Sequence, residues 1–455
     1  MVHQKLFLPG KISERENSFD FTEMLHRDGK VLLTGDRPWE AMGTGWYSVH
    51  KDGGLYRVWY LSMFPLRKTT DTAMTDGNVV GNYRSAVCYA ESADGIQWTK
   101  PALNRFLTEE FPDNNIVLPG WGYYIDAPSI LVDEAAEDPA QRYKMVLFAH
   151  ELGEEKSGIF RFVSPNGIDW TRIGEILPGQ DALSCWYDKQ SRQYILFSKD
   201  RINGRRSRLI QTSPDFLHWS EPMYMLSPDA ADGENMHLYS NYPFWLAGEQ
   251  LSFLNCYDMT NQRVYLELIA GERGISWHRL PTKPIMLYPG DWEDCPDQGG
   301  VYCGLHEPIC EGDNMRYYYF AYRNRHDTAC NPEEQDMSKV SSLCMATYPR
   351  GRLVGQLLQH EGWFETIAFR CPGGKLTINA NSRNPFRVEL RTSGYGDPIP
   401  GYTGEECTAV QGNGLELPVH WTEKADLDEL KGRYIRIRIY GDGGIYYNAN
   451  FHTEE

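Results

Sequence analysis

The sequence predicts an all-β protein, a five-bladed β-propeller followed by a C-terminal antiparallel β-sandwich. Short runs rich in β-branched and aromatic residues alternate with Gly, Asn and Asp turns along most of the chain, which is typical of strands and hairpins. Helical periodicity is nearly absent, and only "KADLDELKG" (424–432) suggests a short helical turn. One turn that ends in Trp also recurs four times, as "ESADGIQW" (91–98), "VSPNGIDW" (163–170), "TSPDFLHW" (212–219) and "GERGISW" (271–277).

Each recurring turn closes a unit of three strand-like runs. Four such units span 43–98, 126–170, 181–219 and 240–277, and a fifth over 306–355 keeps the three runs but lacks the Trp. Units of three or four strands that repeat every roughly 45–70 residues predict propeller blades. We expect the Gly of the turn to supply a positive φ, and the Trp to begin the outer strand and pack between adjacent sheets.

The pattern changes after residue 355. The runs 362–383, 386–393, 408–421 and 432–451 alternate apolar and polar residues with turns between them, which predicts a small antiparallel sandwich. The expected domains are therefore 1–355, the propeller with the functional site, and 356–455, the sandwich. Because the linker is short and has no Pro- or Ser-rich run, we expect the two domains to pack rigidly.

Composition limits the class of partner. The 455 residues are 41% hydrophobic and carry a net charge of −17, which disfavours nucleic acid and anionic membrane surfaces as partners. The beginning of the chain has no apolar run typical of a signal peptide, and no run is long enough to span a bilayer. The 10 cysteines are scattered without a Cys-x-x-Cys pair, which favours reduced thiols and a cytoplasmic location. The pattern is compatible with a homo-oligomer.

One short segment of the sequence has residues of the types that bind metal ions. Cys303, His306 and Cys310 lie close together and could form part of a zinc site. No second ligand pair stands at metal-site spacing, so packed thiols on strands are the favoured interpretation. The sequence therefore predicts neither a metal nor another cofactor.

Candidate catalytic residues come from the geometry of a propeller, whose inner strands gather around one axis. Stepping back about seven residues from the turn after each inner strand reaches Gly45, Asp126, Asp181, Asn241 and His306, with Glu307 adjacent. Asp126, Asp181 and Glu307 are the predicted catalytic residues. Carboxyls gathered at one mouth raise each other's pKa, and glycosidic cleavage needs one protonated and one ionised carboxyl. For each of them the alternative is a turn cap or a hydrogen bond to a neighbouring blade.

Further polar and aromatic residues near the same mouth are predicted to bind substrate. The acids of "GDRPWE" could instead form an ion pair with Arg37 that fixes the loop. The predicted substrate-binding set is Asp36, Glu40, Trp46, Arg84, Tyr124, Glu234, His237, Asn241 and His306.

The blade pattern, with its Ser-x-Asp/Asn-Gly turns and an aspartate that opens the second inner strand, resembles the five-bladed glycosidase superfamily of glycoside hydrolase families 32, 43, 68, 117 and 130. The trailing sandwich is similar in architecture to family 32 and its unassigned bacterial relatives. The resemblance implies that Asp126 in "IDAP" steadies the transition state and that the third blade supplies the acid, where this chain has Asp181. The first inner strand, "GTGWYSVHKDGG", has no acid to match the family's nucleophile.

These observations predict a glycoside hydrolase that acts on a terminal sugar of an oligosaccharide at the central pocket, with paired carboxylates. Asp126 is expected to act as base, nucleophile or stabiliser, and Glu307 or Asp181 as the acid. Whether the mechanism retains or inverts configuration stays open. A glycoside phosphorylase, with phosphate held by Arg, Lys or His, and a catalytically silent carbohydrate-binding protein are the alternatives.

Overall fold

The computed structural model shows an all-β protein, as the sequence predicts. It describes residues 1–65, 83–106, 111–120, 123–151, 156–326 and 336–454. Over these ranges no α-helix occurs, and the helical turns are 3₁₀ helices at Pro38–Glu40, Pro139–Gln141, Met337–Lys339 and Asp428–Leu430. The last of them lies within 424–432, where the sequence predicted a short helical turn.

Three strands precede the first blade. They are β1 (Val2–Leu6), β2 (Ile12–Thr22) and β3 (His26–Thr34). All three pair with segments from the last third of the chain rather than with one another.

Three antiparallel four-stranded sheets then follow in chain order, and each keeps its strands in sequence order. The first contains β4 (Thr44–Asp52), β5 (Leu55–Pro65), β6 (Tyr83–Ser92) and β7 (Ile116–Pro119). The second contains β8 (Tyr123–Val132), β9 (Tyr143–Glu151), β10 (Ser157–Ser164) and β11 (Thr171–Leu177). The third contains β12 (Ser184–Asp188), β13 (Gln193–Ile202), β14 (Arg205–Ser213) and β15 (Met223–Leu226).

Two more groups of strands share one larger sheet. The fourth group is β16 (Met236–Leu246), β17 (Glu249–Asp258) and β18 (Arg263–Glu272), with β19 (Ser276–Arg279) and β20 (Ile285–Leu287) both paired to β18. In the fifth, β21 (Gly300–Tyr302) and β22 (Ile309–Glu311) pair with β23 (Asn314–Tyr322), which pairs with β24 (Ser341–Pro349). One parallel pair, Val264 with Gly300, joins the two groups. This arrangement is consistent with five blades.

The fifth group obtains its outer strand from the start of the chain. Strand β3 pairs antiparallel with β24, for example Thr34 with Ser342 and His26 with Thr347. The fifth sequence unit keeps its three runs but lacks the Trp, and its outer strand lies about three hundred residues earlier in the chain, outside the reach of a local repeat.

The remaining strands form the C-terminal sheet. They are β25 (Val354–Thr366), β26 (Phe369–Arg370), β27 (Lys375–Thr392), β28 (Val410–Val419) and β29 (Tyr434–His452). The order is β2-β25-β29-β27-β28, and β1 and β26 both pair with β29. Residues 2–22 thus pair with this sheet, although the sequence analysis grouped them with the propeller in 1–355.

The recurring turn packs each sheet on the sheet before it. Gly167 has φ +76°, and a Cβ at this position would lie 2.5 Å from the ring of Trp59 in the preceding blade. The backbone oxygen of Gly95 accepts a hydrogen bond of 3.0 Å from the Tyr318 hydroxyl of the fifth group. In the third turn Phe216 adopts φ +65° in place of a glycine. The repeat is therefore a packing device between blades, and the glycine is required both for its φ and for the close approach.

The Trp residues of the turns fit the prediction only in part. Trp277 lies in β19 and Trp170 directly precedes β11, but β7 and β15 begin farther along the chain than Trp98 and Trp219. Trp277 is buried, and the other three are half-buried. The outer strand thus starts at the Trp in two blades only, because residues 99–115 and 220–222 separate the Trp from the strand in the other two.

Candidate functional site

Three inner strands share a kink at their beginning. Trp46, Ala127 and Ala182 have φ of +50°, +48° and +53°, and they directly follow Gly45, Asp126 and Asp181. The pairing register also shifts after Gly45 in β4 and after Asp126 in β8. A non-glycine residue in this conformation costs about 1–3 kcal/mol and persists only where its surroundings fix it. The kink therefore marks the position that the sequence identified as the start of the inner strands.

Asp126 lies at this kink and is buried, with 8% of its surface exposed. Its Oδ1 accepts a hydrogen bond of 2.7 Å from the Ala127 backbone N–H, and its Oδ2 accepts one of 3.3 Å from the Tyr124 hydroxyl. Burial, together with the negative charge of Asp181, raises the pKa of Asp126 to about 7. Lys199, Tyr124 and the Ala127 N–H oppose this rise. The Asp126 carboxyl can therefore hold a proton near neutral pH.

Asp181 lies beside Asp126 and has a cationic partner. Its Oδ1 is 2.5 Å from the Nζ of Lys199, which is buried in β13. The pKa of Lys199 lies below its usual value, because burial and the charge of Arg206 lower it by more than the two aspartates raise it. The structure thus brings together two of the three predicted catalytic acids, in different environments: one has hydrogen-bond donors only, and the other has a full positive charge.

An aromatic ring lies against the Lys199 ammonium at this mouth. The Lys199 Nζ is 4.8 Å from the centroid of the Tyr239 ring, and the Arg206 guanidinium is 5.4 Å from it. Trp46 stacks parallel to Tyr239, with 6.2 Å between the centroids. His237 accepts a hydrogen bond of 2.9 Å from the Arg206 backbone N–H through Nδ1. Predicted substrate residues Trp46, Tyr124 and His237 thus belong to the same neighbourhood as the aspartates.

A buried arginine fixes the kink of the third strand. Nη1 of Arg208 donates to the backbone oxygens of Ala182 and Tyr239, at 3.0 and 2.7 Å, and Nε donates to Oδ1 of Asn241 at 2.9 Å. Burial lowers the pKa of Arg208 to about 9. Asn241 thus accepts a hydrogen bond from this arginine, and its predicted substrate role stays a prediction.

The structure places Glu307 away from the other two acids. Its Oε1 accepts a hydrogen bond of 2.7 Å from the Trp186 indole N–H, and it lines a cavity with residues 131–135 from the far end of β8. Asp126 is in the first half of β8. About five residues separate it from the part of the strand that lines this cavity, which corresponds to roughly 16 Å at about 3.3 Å per residue. The sequence predicts one mouth for all three acids. The five-residue offset arises because blade 5 divides its inner strand into β21 and β22.

Asn241 and His306 also differ from the expected position. In β16 the register shift falls between Leu238 and Asn241, so Asn241 corresponds to Ser129, which follows the equivalent shift in β8. His306 lies between β21 and β22, where its ring nitrogens contact the backbone oxygens of Glu307 and Tyr318 at 2.8 and 2.9 Å. A fixed count of seven residues fails in these blades because their inner strands differ in length.

The two acids of "GDRPWE" form a network in the first blade. Glu40 is fully buried, accepts a hydrogen bond of 2.7 Å from the Tyr60 hydroxyl and contacts Lys100 Nζ at 2.6 Å. Asp36 contacts the same Lys100 Nζ at 2.6 Å, and Arg37 at 3.6 Å. Both acids thus have partners within the blade, and their predicted substrate role stays a prediction.

Two predicted substrate residues are at the blade ends. The Arg84 guanidinium, at the start of β6, lies 4.8 Å from the centroid of the Phe64 ring. Glu234 is exposed in the turn before β16. Neither is seen in contact with Asp126 or Asp181 in the described part of the chain.

The cysteines are thiols without a metal-site arrangement in the described ranges. Nine cysteines are free thiols, and Cys330 lies outside the described residues. Cys303 Sγ lies 3.2 Å from the Tyr317 hydroxyl, whereas Cys310 is exposed. No group of three or more His, Cys, Asp or Glu side chains arranged to hold a metal ion occurs in the described ranges.

Lys199, Arg206 and Tyr239 were missed in the sequence. Lys199 and Arg206 lie on the two strands of the β13–β14 hairpin, whose segment "SKDRINGRRS" (198–207) has four cations. A hairpin so rich in cations, in a chain with net charge −17, was the available signal. Tyr239 had no signal, since its position depends on the register shift in β16.

Comparison with known proteins gives structural but no sequence matches. No protein-family model and no curated protein matches the chain. A solved structure described as a glycoside hydrolase aligns with TM-score 0.49 and 11% identity over 72% of this chain and 92% of its own. A glycoside hydrolase of the GH130 mannoside phosphorylase family, which targets β-1,2-mannosidic linkages in Candida mannan, aligns with TM-score 0.47 and 14% identity over 72% and 94%.

The β-1,2-mannobiose phosphorylase from Listeria innocua, in complex with β-1,2-mannobiose, aligns with TM-score 0.47 and 13% identity over 73% of this chain and 97% of its own. Roles of individual residues do not transfer at such identities, so the function has to follow from the side chains of this chain. None of the helices in the described ranges has the length and apolar character needed to cross a membrane.

Proposed function

We propose that the protein cleaves glycosidic bonds, as a glycoside hydrolase, with Asp126 as the general acid. The observation that carries the proposal is the close pair of carboxyls, Asp126 and Asp181, whose environments differ. Burial and the Asp181 charge raise the pKa of Asp126 to about 7, so that it can deliver a proton to a leaving oxygen near neutral pH. Two carboxyls with such separated roles are what glycosidic cleavage requires.

Asp181 is the second carboxyl in this proposal. The 2.5 Å contact with Lys199 keeps a positive charge next to it, so Asp181 can serve as base, nucleophile or stabiliser. These roles are the reverse of the expectation from the sequence, in which Asp181 was a candidate acid. The difference comes from Lys199, which the sequence could not place.

The rings of Trp46 and Tyr239 support a sugar substrate. Ligand pockets are lined by aromatic surfaces with a few polar groups that set orientation. Here the parallel ring pair lies next to the Lys199–Asp181 ion pair. A sugar ring that packs on these aromatic faces would bring a glycosidic oxygen toward the two carboxyls.

The test is turnover of an oligosaccharide panel by the wild-type protein and by Asp126→Asn. We expect the variant to lose about two orders of magnitude in rate or more, because a positioned acid contributes at least this factor. Asp313→Asn is the matched control, since Asp313 has 80% of its side chain exposed on the β22–β23 turn. Full activity of Asp126→Asn would exclude the assignment. Sugar binding without turnover across the panel would instead indicate a carbohydrate-binding protein.

Arg206 favours a second candidate, a glycoside phosphorylase. Its guanidinium lies over the rings of Tyr239 and Tyr257, at 5.4 and 5.6 Å, and in the described ranges no carboxylate lies within 4.0 Å of it. A guanidinium without an anionic partner beside an acid could hold inorganic phosphate as the nucleophile. Release of a sugar phosphate only when phosphate is present would support this candidate, and equal turnover in phosphate-free buffer would exclude it.

A further inference from the structure

A cavity lies at the end of the inner strands away from Asp126. Its volume is about 620 Å³, which is within the range of pockets that bind small molecules. The walls include the ends of β4 and β8, the turn after β12, and Tyr242 and Glu307. Residues of all five blades therefore contribute to this cavity, and none of the residues of the proposed catalytic site lines it.

Glu307 is the acceptor in the depth of the cavity. The Trp186 indole N–H donates to Oε1 at 2.7 Å, and Oε2 has no hydrogen-bond partner among the described residues. Burial raises the pKa of Glu307, whereas Trp186 and Lys189 oppose the rise. The Tyr242 ring is buried beside it, and burial together with the charge of Glu307 raises the pKa of this tyrosine. An open carboxyl oxygen next to a phenol is suited to the hydroxyl groups of a ligand.

The rim of the cavity has an excess of positive charge. Lys189 and Arg192 are exposed in the turn after β12, and in the described ranges neither has a carboxylate within 4.0 Å. Lys51 is on the rim too, but it is paired with Glu311. Asp133 also lines the cavity, but it is buried and paired with Lys144, which leaves Glu134 as the exposed acid of the lining without an ion pair in the described ranges.

We propose that this cavity binds a small polyhydroxylated molecule with one anionic group, that is, a sugar acid or a sugar phosphate. The hydroxyl end lies inward at Glu307 and Tyr242, and the anionic end lies at the rim between Lys189 and Arg192. The apolar parts of the ligand contact Val49, Leu131 and Ile309. The site is distinct from the catalytic pair, so it stands or falls independently of the glycosidase assignment.

The Trp186 indole resonance is a direct probe of this cavity. Because its N–H donates to Glu307, a ligand at Glu307 changes its ¹⁵N–¹H chemical shift in protein labelled at tryptophan. Trp186→Phe identifies the resonance by its loss. If that variant does not fold, Glu307→Gln identifies the same resonance by its displacement, since the charged acceptor becomes neutral.

The titration uses glucuronate and glucose 6-phosphate as probes at millimolar concentration, with neutral glucose as the comparison. We expect a saturable shift of the Trp186 resonance with at least one anionic probe. Tighter binding of glucuronate would indicate a carboxylate ligand, and tighter binding of glucose 6-phosphate a phosphate ligand. The double variant Lys189→Met/Arg192→Met should weaken that binding about tenfold or more. Arg206→Met, at the opposite mouth, should leave it unchanged.

Two results would overturn the proposal. One is a Trp186 resonance that neither anionic probe moves. The other is a shift of equal affinity with glucose, or in the Lys189→Met/Arg192→Met protein, because the rim cations would then play no part in recognition.

Discussion

The Nζ of Lys199 lies 2.5 Å from Oδ1 of Asp181, and the same ammonium also lowers the pKa of the neighbouring Asp126. One cation thus acts on two carboxyls, and the aspartate that it contacts directly raises the pKa of the other. This relationship makes the protonation state of Asp126 depend on residues that belong to another blade.

Substitution of Asp181 or Lys199 should move the pKa of Asp126 in opposite directions. Asp181→Asn removes a negative charge that raises this pKa, so the pKa should fall. Lys199→Met removes a positive charge that lowers it, so the pKa should rise. The carboxyl ¹³C resonance of Asp126, assigned by its loss in Asp126→Asn, reports both shifts. Movement in the same direction in both variants would contradict the arrangement.

Asp126 should also make stability fall as pH rises through the acidic range. Its folded pKa of about 7 exceeds the ordinary aspartate value of 3.8, so the folded state binds more protons between these limits. Stability then decreases with pH over this window, by on the order of a few kcal/mol at most. Urea unfolding at a series of pH values should show this decrease in the wild type relative to Asp126→Asn. A difference between the two proteins that stays constant with pH would refute it.

Asp297 should contribute strongly to stability because it joins β3 to the last blade. The fully buried carboxylate accepts hydrogen bonds from Arg27 Nη1 at 2.9 Å, from the Tyr319 hydroxyl at 2.8 Å and from the Gly290 N–H at 2.9 Å. Asp297→Ala should lower the free energy of unfolding by about 3–5 kcal/mol, since it leaves these donors without a charge.

Asp294 offers the matched control in the same loop. Its side chain is 83% exposed and lies 3.5 Å from Arg323. Asp294→Ala should change the free energy of unfolding by less than about 1 kcal/mol, as for other exposed ion pairs. If both variants lose a similar free energy of unfolding in chemical denaturation, Asp297 has no special role in joining β3 to the last blade.

A comparison of Gly167→Ala with Gly312→Ala should separate two effects on stability, the contact of the recurring turn with the neighbouring blade and the strain of a positive φ. The new Cβ would lie 2.5 Å from the Trp59 ring at φ +76°, whereas Gly312 has φ +63° with nothing within 4 Å of its Cβ. Gly312→Ala should cost about 1 kcal/mol for backbone strain alone, and Gly167→Ala should cost about 1–3 kcal/mol more because of the clash. Equal midpoints of thermal unfolding would exclude the blade contact as the reason for this glycine.

The sequence predicted the features that local patterns determine. The turns 91–98 and 163–170 were identifiable because Ser, Asp or Asn and Gly stand at fixed offsets, and alternation identified the strands of the C-terminal sheet. Asp126 and Asp181 could be placed together because both come seven residues before the turn after an inner strand, at Asp133 and Asp188. Their environment could not be predicted, because Lys199 approaches from a hairpin that local spacing does not relate to them.

Long-range pairing and register were the limits of that prediction. Nothing in the sequence near β24 indicates that β3 pairs with it, so the outer strand of the fifth blade could not be predicted. Glu307 was expected at the catalytic mouth because a constant spacing was applied to blade 5, where the inner strand is interrupted. Both differences arise from geometry that only the closed ring of sheets defines.

The pairing of β3 with β24, and of β1 with β29, has a consequence for synthesis on the ribosome. The first strands emerge early, but their partners appear only after most of the chain has been translated, for example His452 for Val2. Until then the N-terminal segment stays without its sheet, and its exposed edges invite association with other nascent chains. We expect productive maturation to be a post-translational event, and to depend on chaperones that shield these early strands.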